Sequence, residues 1–201
     1  MKCAVTELNR PGPVVVSVQC SAGRTFSKAP CEVIRLIADV GVEGDAHAGR
    51  TDKHRYHMRK FGEQLNLRQV HLRPAELFET LAHAGHVVQP GDLGDNIATR
   101  NLDLLNLPTG TRLRVGPQAI VELTGLRNPC HQIEAFQPGL LAHVVSQGPG
   151  GIVRKAGVMG IVVQGGPVRA DDVIEIGLPA LPHVPLVYRI PTAPPPASTR
   201  G

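Results

Sequence analysis

Apolar residues in this chain come in short runs, and almost every run is cut off by glycine or proline. A β-branched run at residues 14–18 predicts a first strand, and residues 33–37 and 69–72 predict two more. Residues 112–115 and 119–123 flank Gly116-Pro117 and read as a hairpin. Residues 158–163 form a further strand, Gly165-Gly166-Pro167 a turn, and residues 173–176 the closing strand. A short strand also starts at Asn96, after the turn-rich stretch 90–95. Helical spacing is clearest at residues 74–84: Pro74 suits a first turn, Leu77, Phe78 and Leu81 make an apolar face, and Gly85 caps the end. Residues 140–145 predict a second, shorter helix. Residues 24–30 form a polar loop and 41–45 a tight turn, while 46–66, rich in His and Arg, read as a long excursion.

Many short strands with two modest helices predict a mainly β fold with a few short helices (α+β), built as a closed or partly closed β-barrel. The 18 prolines and 22 glycines, with 42% apolar residues, fit many turns around a real core. No linker-like stretch interrupts the chain before Leu178, so residues 1–190 are expected to form one domain. Residues 191–201 are proline-rich, with three consecutive prolines at Pro194, Pro195 and Pro196, and are expected to be a disordered tail outside the core.

Charge narrows the partners. The chain carries a net +4 with a pI near 9.1, but no Lys/Arg tract. Aromatics are 3% with no tryptophan, so platforms for stacking bases are scarce and nucleic acid is not an expected partner. Dispersed positive charge fits a small anionic ligand such as a phosphate. No apolar run reaches the length of a membrane span and the N-terminus lacks a signal-peptide core, so no membrane association is expected. The 4 cysteines (Cys3, Cys20, Cys31 and Cys130) include no C-x-x-C pair, so free thiols in the cytoplasm are the expectation.

The chemistry concentrates in one loop. The run 119–123 empties into Gly125, and Arg127-Asn128-Pro129-Cys130-His131-Gln132 follow. Pro129 fixes its own φ and biases Asn128 toward extended conformations, so the thiol sits on a stiff turn. A single cysteine is by default a small buried core residue. Here the polar neighbours argue against burial, and Arg127 and His131 place positive charge near the sulfur, which favours the thiolate that attacks electrophiles and binds metals. Two other loops are rich in Gly and charge, residues 44–49 (GDAHAG) and 91–96 (GDLGDN). The segment 66–71 adds a guanidinium, an amide and an imidazole. Glycines let backbone N–H groups approach an anion, and Arg68 or Arg127 would hold a phosphate in a bidentate fork. Taken singly, each Gly-Asp pair is also what a simple turn requires. His47, His54, His57 and His71, with Asp45, raise the alternative of a metal held by histidines, but no zinc-site spacing is present. A dinucleotide fingerprint, a P-loop and a G-x-S-x-G elbow are also absent from the sequence.

Together the segments GVEGDAHAG (41–49), NLRQVHL (66–72), PGDLGDNI (90–97), LPTGTRLRVG (107–116), TGLRNPCHQI (124–133) and GVMGIVVQGGPV (157–168) resemble, in this order, the MOSC family. That domain is found at the C-terminus of molybdenum-cofactor sulfurases and as stand-alone proteins, and this chain looks like the small stand-alone branch, with no pyridoxal-phosphate sulfurase domain. The resemblance implies a compact β-barrel with a cysteine in a cleft, matched by Cys130, which would ligate the molybdenum of a pterin cofactor or carry sulfur. By position, Arg68, Asn96 and Arg127 would anchor the cofactor, with Asp45, His47 and His71 nearby. One departure is Asp171-Asp172, where the family's closing turn usually ends in Gly-Asp.

Three functions follow as expectations. One is an oxidoreductase using a molybdenum-pterin cofactor, with Cys130 as metal ligand, reducing N-hydroxylated small molecules with electrons from an external donor. Another is a sulfur carrier holding a persulfide on Cys130, which needs a sulfur-donor protein. The last is a non-enzymatic cofactor-binding module. The three remaining cysteines lie outside the matched loops and are expected to form no disulfide with Cys130.

Overall fold

The computed structural model describes residues 11–53 and 55–189. The expectations for Cys3, His54 and the tail at 191–201 lie outside these residues, and so does the side chain of His57. The chain opens with β1 (Val14–Cys20), β2 (Ala29–Cys31), β3 (Val33–Ile37) and β4 (Gly41–Val42). Next come α1 (Arg55–Phe61), β5 (Val70–Pro74), α2 (Glu76–His83) and β6 (Ile97–Arg100). After a single 3-10 turn at Leu104–Asn106, β7 (Arg112–Val115) and β8 (Ala119–Leu126) form the expected hairpin. The remainder is α3 (His131–Phe136), α4 (Leu140–Val144), β9 (Val145–Gly148), β10 (Gly151–Arg154), β11 (Val158–Gln164), β12 (Gly166–Arg169) and β13 (Ile174–Gly177). The fold is mainly β with short helices, as the pattern predicts. No helix among the described residues is long and apolar enough to cross a membrane.

The main sheet has eight strands in the order β13-β7-β8-β11-β5-β6-β1-β2, antiparallel except for the parallel β5–β6 pair. The expected closure into a barrel is not found: among the described residues no sheet closes on itself. The reason is visible in β1. Its C-terminal half turns its free edge to β2, pairing Cys20 with Ala29 and Val18 with Cys31. Only its first residues approach β13, through an isolated bridge between Val14 and Val173 and the bonds Val15 N–H to Asp172 O (2.9 Å) and Ile174 N–H to Pro13 O (2.8 Å). A smaller sheet, β12-β3-β4, packs beside the large one. β7 shows the simplest link from sequence to packing: Leu113 and Val115 are buried while Arg112 and Arg114 face water.

Several elements depart from the pattern. Pro74 closes β5, opposite Thr99, and α2 begins after it. Gly85 does cap that helix, at φ 87°, with its N–H on Ala82 O at 3.0 Å. The expected turn Gly165-Gly166-Pro167 is instead the start of β12, where Gly166 pairs with Leu36 and Pro167 with Arg35. Proline is tolerated because β12 is an edge strand. The 46–66 excursion contains α1 and a bridge between Thr51 and Leu65. At the departure from the family pattern, Asp171 takes φ 66°, the left-handed conformation that the usual glycine would take, and the Asp172 carboxylate accepts the Arg169 N–H at 2.9 Å.

Two apolar clusters hold the elements. The larger lies between the sheets and includes Val15, Leu36, Leu72, Leu113, Leu123 and Val162. The smaller packs Leu77 and Leu81 of α2 against Ile133 of α3 and Leu140 and Val144 of α4. A fully buried ion pair is set among them: Arg73 Nε donates to Asp95 Oδ1 at 3.0 Å, and neither side chain has any exposure. The second Asp95 oxygen accepts the Gly91 N–H at 3.0 Å, so the pair ties β5 to the 89–96 loop. Removing one member strands a buried charge. Asp95→Ala is therefore expected to lower stability by about 3–5 kcal/mol, whereas an Arg73→Met/Asp95→Leu double variant should recover most of the loss; urea denaturation of the three proteins checks this.

Candidate functional site

The site begins with a buried carboxylate. Asp45, at the turn after β4, has a side chain only 2% exposed. Its Oδ2 accepts from Lys28 Nζ at 2.6 Å and from Asn96 Nδ2 at 3.0 Å, and its Oδ1 accepts the His47 backbone N–H at 2.9 Å. Burial pushes the Asp45 carboxyl up, but the bond between the His47 imidazole (Nδ1 at 3.3 Å from Oδ1) and the carboxylate, then the Lys28 charge, outweigh it and hold its pKa well below the usual carboxylate range. Burial pulls the Lys28 ammonium below the ordinary lysine value, and Asp45 opposes that pull. Asn96 extends the network: its Nδ2 also donates to Gln19 O at 3.2 Å, and its Oδ1 accepts the His71 N–H at 3.1 Å. Asn66 fixes the approach to β5. Its Nδ2 donates to His47 O and Gly49 O at 3.0 and 2.9 Å, and its Oδ1 accepts the Arg68 N–H at 3.0 Å.

His71, on β5, lies between two carbonyls, with Nδ1 at 3.1 Å from Gly94 O and Nε2 at 3.0 Å from Ala156 O. Burial, then the charges of Arg127 and Arg73, hold it well below the ordinary histidine value. The neutral ring donates to one carbonyl at a time. Gly157 makes room for it: at φ 114°, a Cβ there would meet His71 Nε2 at 2.6 Å and Leu72 O at 2.4 Å.

In front of this framework opens a cleft of about 530 Å³. The 24–28 loop contributes Arg24, Thr25, Phe26 and Lys28, and the next turns contribute His47, Asp52 and Lys53. Arg68, His71 and Gly94 form the back, and Arg127, Asn128 and Cys130 the far wall, with Met159 and Tyr188 adding apolar surface. The loops at 44–47, 68–71, 92–96 and 127–130, far apart in sequence, thus meet in one place. Cys130 is half-buried, directly before α3, with Sγ at 3.5 Å from Gln132 Oε1. Asn128 is held by Arg154, whose Nε donates to its Oδ1 at 2.9 Å while the guanidinium lies over the Tyr188 ring at 5.3 Å.

Apart from Lys28, which Asp45 pairs, the cations that line the cleft make no ion pair among the described residues. Arg127 Nη1 is buried with no hydrogen bond. Burial, then the charge of Arg73 and further that of Arg68, pull its guanidinium below its ordinary value, and Cys130 opposes this. Among the described residues, Arg24, Lys53, Arg68 and Arg127 make no ion pair. A buried guanidinium edge without an acceptor is costly, and an anionic ligand would supply the acceptor.

The sequence-derived residues divide into two sets. Cys130, Arg68, Arg127, His47 and His71 line the cleft. Asp45 and Asn96 lie behind it, with their polar atoms spent on Lys28, His47, His71 and Gln19. Lys28, Phe26, Asn66, Met159 and Tyr188 are cleft residues that the pattern does not single out. Asn66 and Met159 fall within matched segments, but Phe26, Lys28 and Tyr188 carry no local signal. Among the described residues no three His, Cys, Asp or Glu side chains are gathered so as to hold a metal.

The buried titrating groups predict an acid limb in two stages. His71 and Asp45 both have folded pKa values below their unfolded ones, so each contributes stability that is present above the unfolded pKa and lost as pH falls. The loss should begin near pH 6.5, where His71 gains a proton on unfolding, and deepen below about pH 4, where Asp45 also gains one on unfolding. His71→Gln should remove the first stage and Asp45→Asn flatten the second, as measured by denaturation midpoints from pH 3 to 8.

Comparison with known proteins bears on what this site is. A model of the MOSC domain matches residues 52–175. A search of curated proteins finds no match. Among solved structures, the YuaD protein from Bacillus subtilis superposes with a TM-score of 0.68 at 24% identity, covering 84% of this chain and 97% of that one. YiiM from Geobacillus stearothermophilus gives 0.58 at 15% identity, over 86% of this chain and 79% of that one. YiiM from Escherichia coli gives 0.58 at 21%, over 87% and 74%. At such identities these likenesses establish the fold, and the fold agrees with the sequence match. The chain belongs to the MOSC domain family.

Proposed function

We propose that the cleft binds a molybdenum-pterin cofactor through the cofactor's phosphate, with Cys130 as thiolate ligand of the metal, and that the protein is an oxidoreductase of N-hydroxylated small molecules. The observation that carries this reading is the unpartnered Arg127 Nη1, buried in the same wall as Cys130. The residues fit the group. Arg127 and Arg68 present guanidinium forks to a phosphate, and a thiolate is a soft donor suited to a metal that also bears sulfur ligands. When bound, the group supplies a two-electron redox centre.

The chain's own residues do the rest. Asp45, behind the cleft, neutralises Lys28 at its wall, so neither charge competes for the ligand. The neutral His71 gives the back wall no further charge, and its position between Gly94 O and Ala156 O, to one of which it donates, keeps it facing the cleft. Phe26, Met159 and Tyr188 bring apolar surface to the mouth, where they exclude water from the reacting face. Reducing an N–O bond takes up two electrons and two protons and releases water, so the activity draws on an external electron donor. That chemistry suits a cytoplasmic protein with free thiols.

Turnover of an N-hydroxylated purine, with a reduced viologen as artificial donor, tests the reading on protein made in a host that synthesises the cofactor. Activity is expected in the wild type, and Cys130→Ser should lower it by about 10⁴-fold, the scale on which loss of a reacting group acts. Absence of turnover, together with a persulfide on Cys130, would replace this reading with the sulfur carrier. Absence of both would leave a binding module.

A further inference from the structure

The remaining described cysteines form a pair of their own. Cys20 ends β1 and Cys31 ends β2, and their sulfurs lie 3.1 Å apart. The register places Val18 opposite Cys31 and Cys20 opposite Ala29, so the two thiols are diagonal neighbours on an antiparallel pair, within reach of each other. β2 is the outermost strand of the large sheet, and both cysteines are partly exposed. Between them the chain makes the loop that gives Arg24, Thr25, Phe26 and Lys28 to the cleft.

We propose that Cys20 and Cys31 are a redox modification site: a peroxide converts them to a reversible disulfide that staples the 21–28 loop lining the cleft. The sulfurs need to close by roughly 1 Å to reach the ordinary S–S length of about 2.0 Å, a shift that side-chain rotation supplies. The bond to Cys31, then burial, hold the Cys20 thiol up at about 11, so Cys20 keeps its proton and Cys31, on the open edge, reacts first. The Cys31 thiolate attacks one peroxide oxygen; the O–O bond breaks, leaving a sulfenic acid and a hydroxide that takes back from solvent the proton lost by the thiol, giving one water. Cys20 sulfur then attacks the Cys31 sulfur; the S–S bond forms, the S–O bond breaks, and the Cys20 proton leaves with the hydroxyl as a second water. The two sulfurs give up two electrons, and the peroxide oxygens take them. A dithiol reverses the reaction by exchange. In a reducing compartment such a bond is transient, which is the behaviour of a sensor rather than of a structural brace. The proposal is independent of what the cleft binds.

The full chain is reduced, desalted and exposed to equimolar hydrogen peroxide. Free thiols are then trapped with N-ethylmaleimide, and tryptic peptides are analysed by mass spectrometry. The expected result is two fewer free thiols, a cross-linked peptide pair with fragments that place the bond between Cys20 and Cys31, and full return of the thiols with dithiothreitol. Cys130→Ser should behave like the wild type, and Cys20→Ser and Cys31→Ser should each lack the bond. Oxidation should also slow hydrogen exchange of the 21–28 amides severalfold. Full alkylation of both cysteines after peroxide, or their pairing with Cys3 or Cys130, would overturn the site. Unchanged exchange in the cross-linked chain would overturn the stapling.

Discussion

A carboxylate withdrawn from water has to be neutralised and fully bonded, and much of this molecule is arranged around one that is. Asp45 gathers an ammonium, an amide and a backbone N–H onto its two oxygens, drawn from the 24–28 loop, the 91–96 loop and its own turn. The amide it binds, Asn96, reaches on to β1 through Gln19 O and to β5 through the His71 N–H. The sheet edge and the loops in front of it are therefore held by one polar cluster and not by apolar packing alone. Such clusters are stable only when every member is satisfied, which makes their geometry nearly all-or-none. The Asp95 carboxylate is likewise buried and bonded on both oxygens, to Arg73 Nε and the Gly91 N–H, although Arg73 Nη1 is left without a partner.

The cleft in front of this framework has the opposite character. Behind it, the buried carboxylates of Asp45 and Asp95 each have a cation. Within it, Arg24, Lys53, Arg68 and Arg127 converge without an ion pair among the described residues, and Arg127 Nη1 is both buried and unbonded. A protein surface usually spreads its cations apart or pairs them. Gathering them unpaired beside a half-buried thiol is costly, and the proposed ligand, with its negative charge and soft centre, would offset that cost. The Gly157 backbone, which no side chain could replace without striking His71, shows how closely the back wall is fitted to that arrangement.

What was legible in the sequence follows from which signals are local. β3 and β7 fall where the apolar pattern places them, because alternation along a strand is written in adjacent residues. Pro74 fits a helix start or a strand end equally well in the sequence, and only the pairing with Thr99 decides. Gly166-Pro167 looked like a turn because the partner that makes it a strand, β3, lies far away in sequence. The barrel closure failed for a similar reason, as β2 takes the edge of β1 that closure would have needed. At the site, glycine-rich and charged loops marked the right segments. They did not mark which polar side chains face inward: Asp45 and Asn96 look like ligand contacts in the sequence, yet their atoms are consumed by the framework. Lys28 and Tyr188 carry no motif and reach the cleft only through the tertiary fold.

The central claim is that the unpaired cations and Cys130 together hold a phosphate-bearing molybdenum-pterin group. It is tested most directly by measuring molybdenum and pterin in wild-type and Arg127→Gln protein. Both should be purified anaerobically from a cofactor-competent host in which a control molybdenum-pterin enzyme is fully loaded. Near-stoichiometric molybdenum and pterin in the wild type is the predicted result, with retention reduced by roughly 10- to 100-fold in the variant, the loss expected when a charged hydrogen-bonding partner is removed. Wild-type protein carrying neither molybdenum nor pterin while the control is loaded, or an Arg127→Gln variant that retains both in full, would contradict the account.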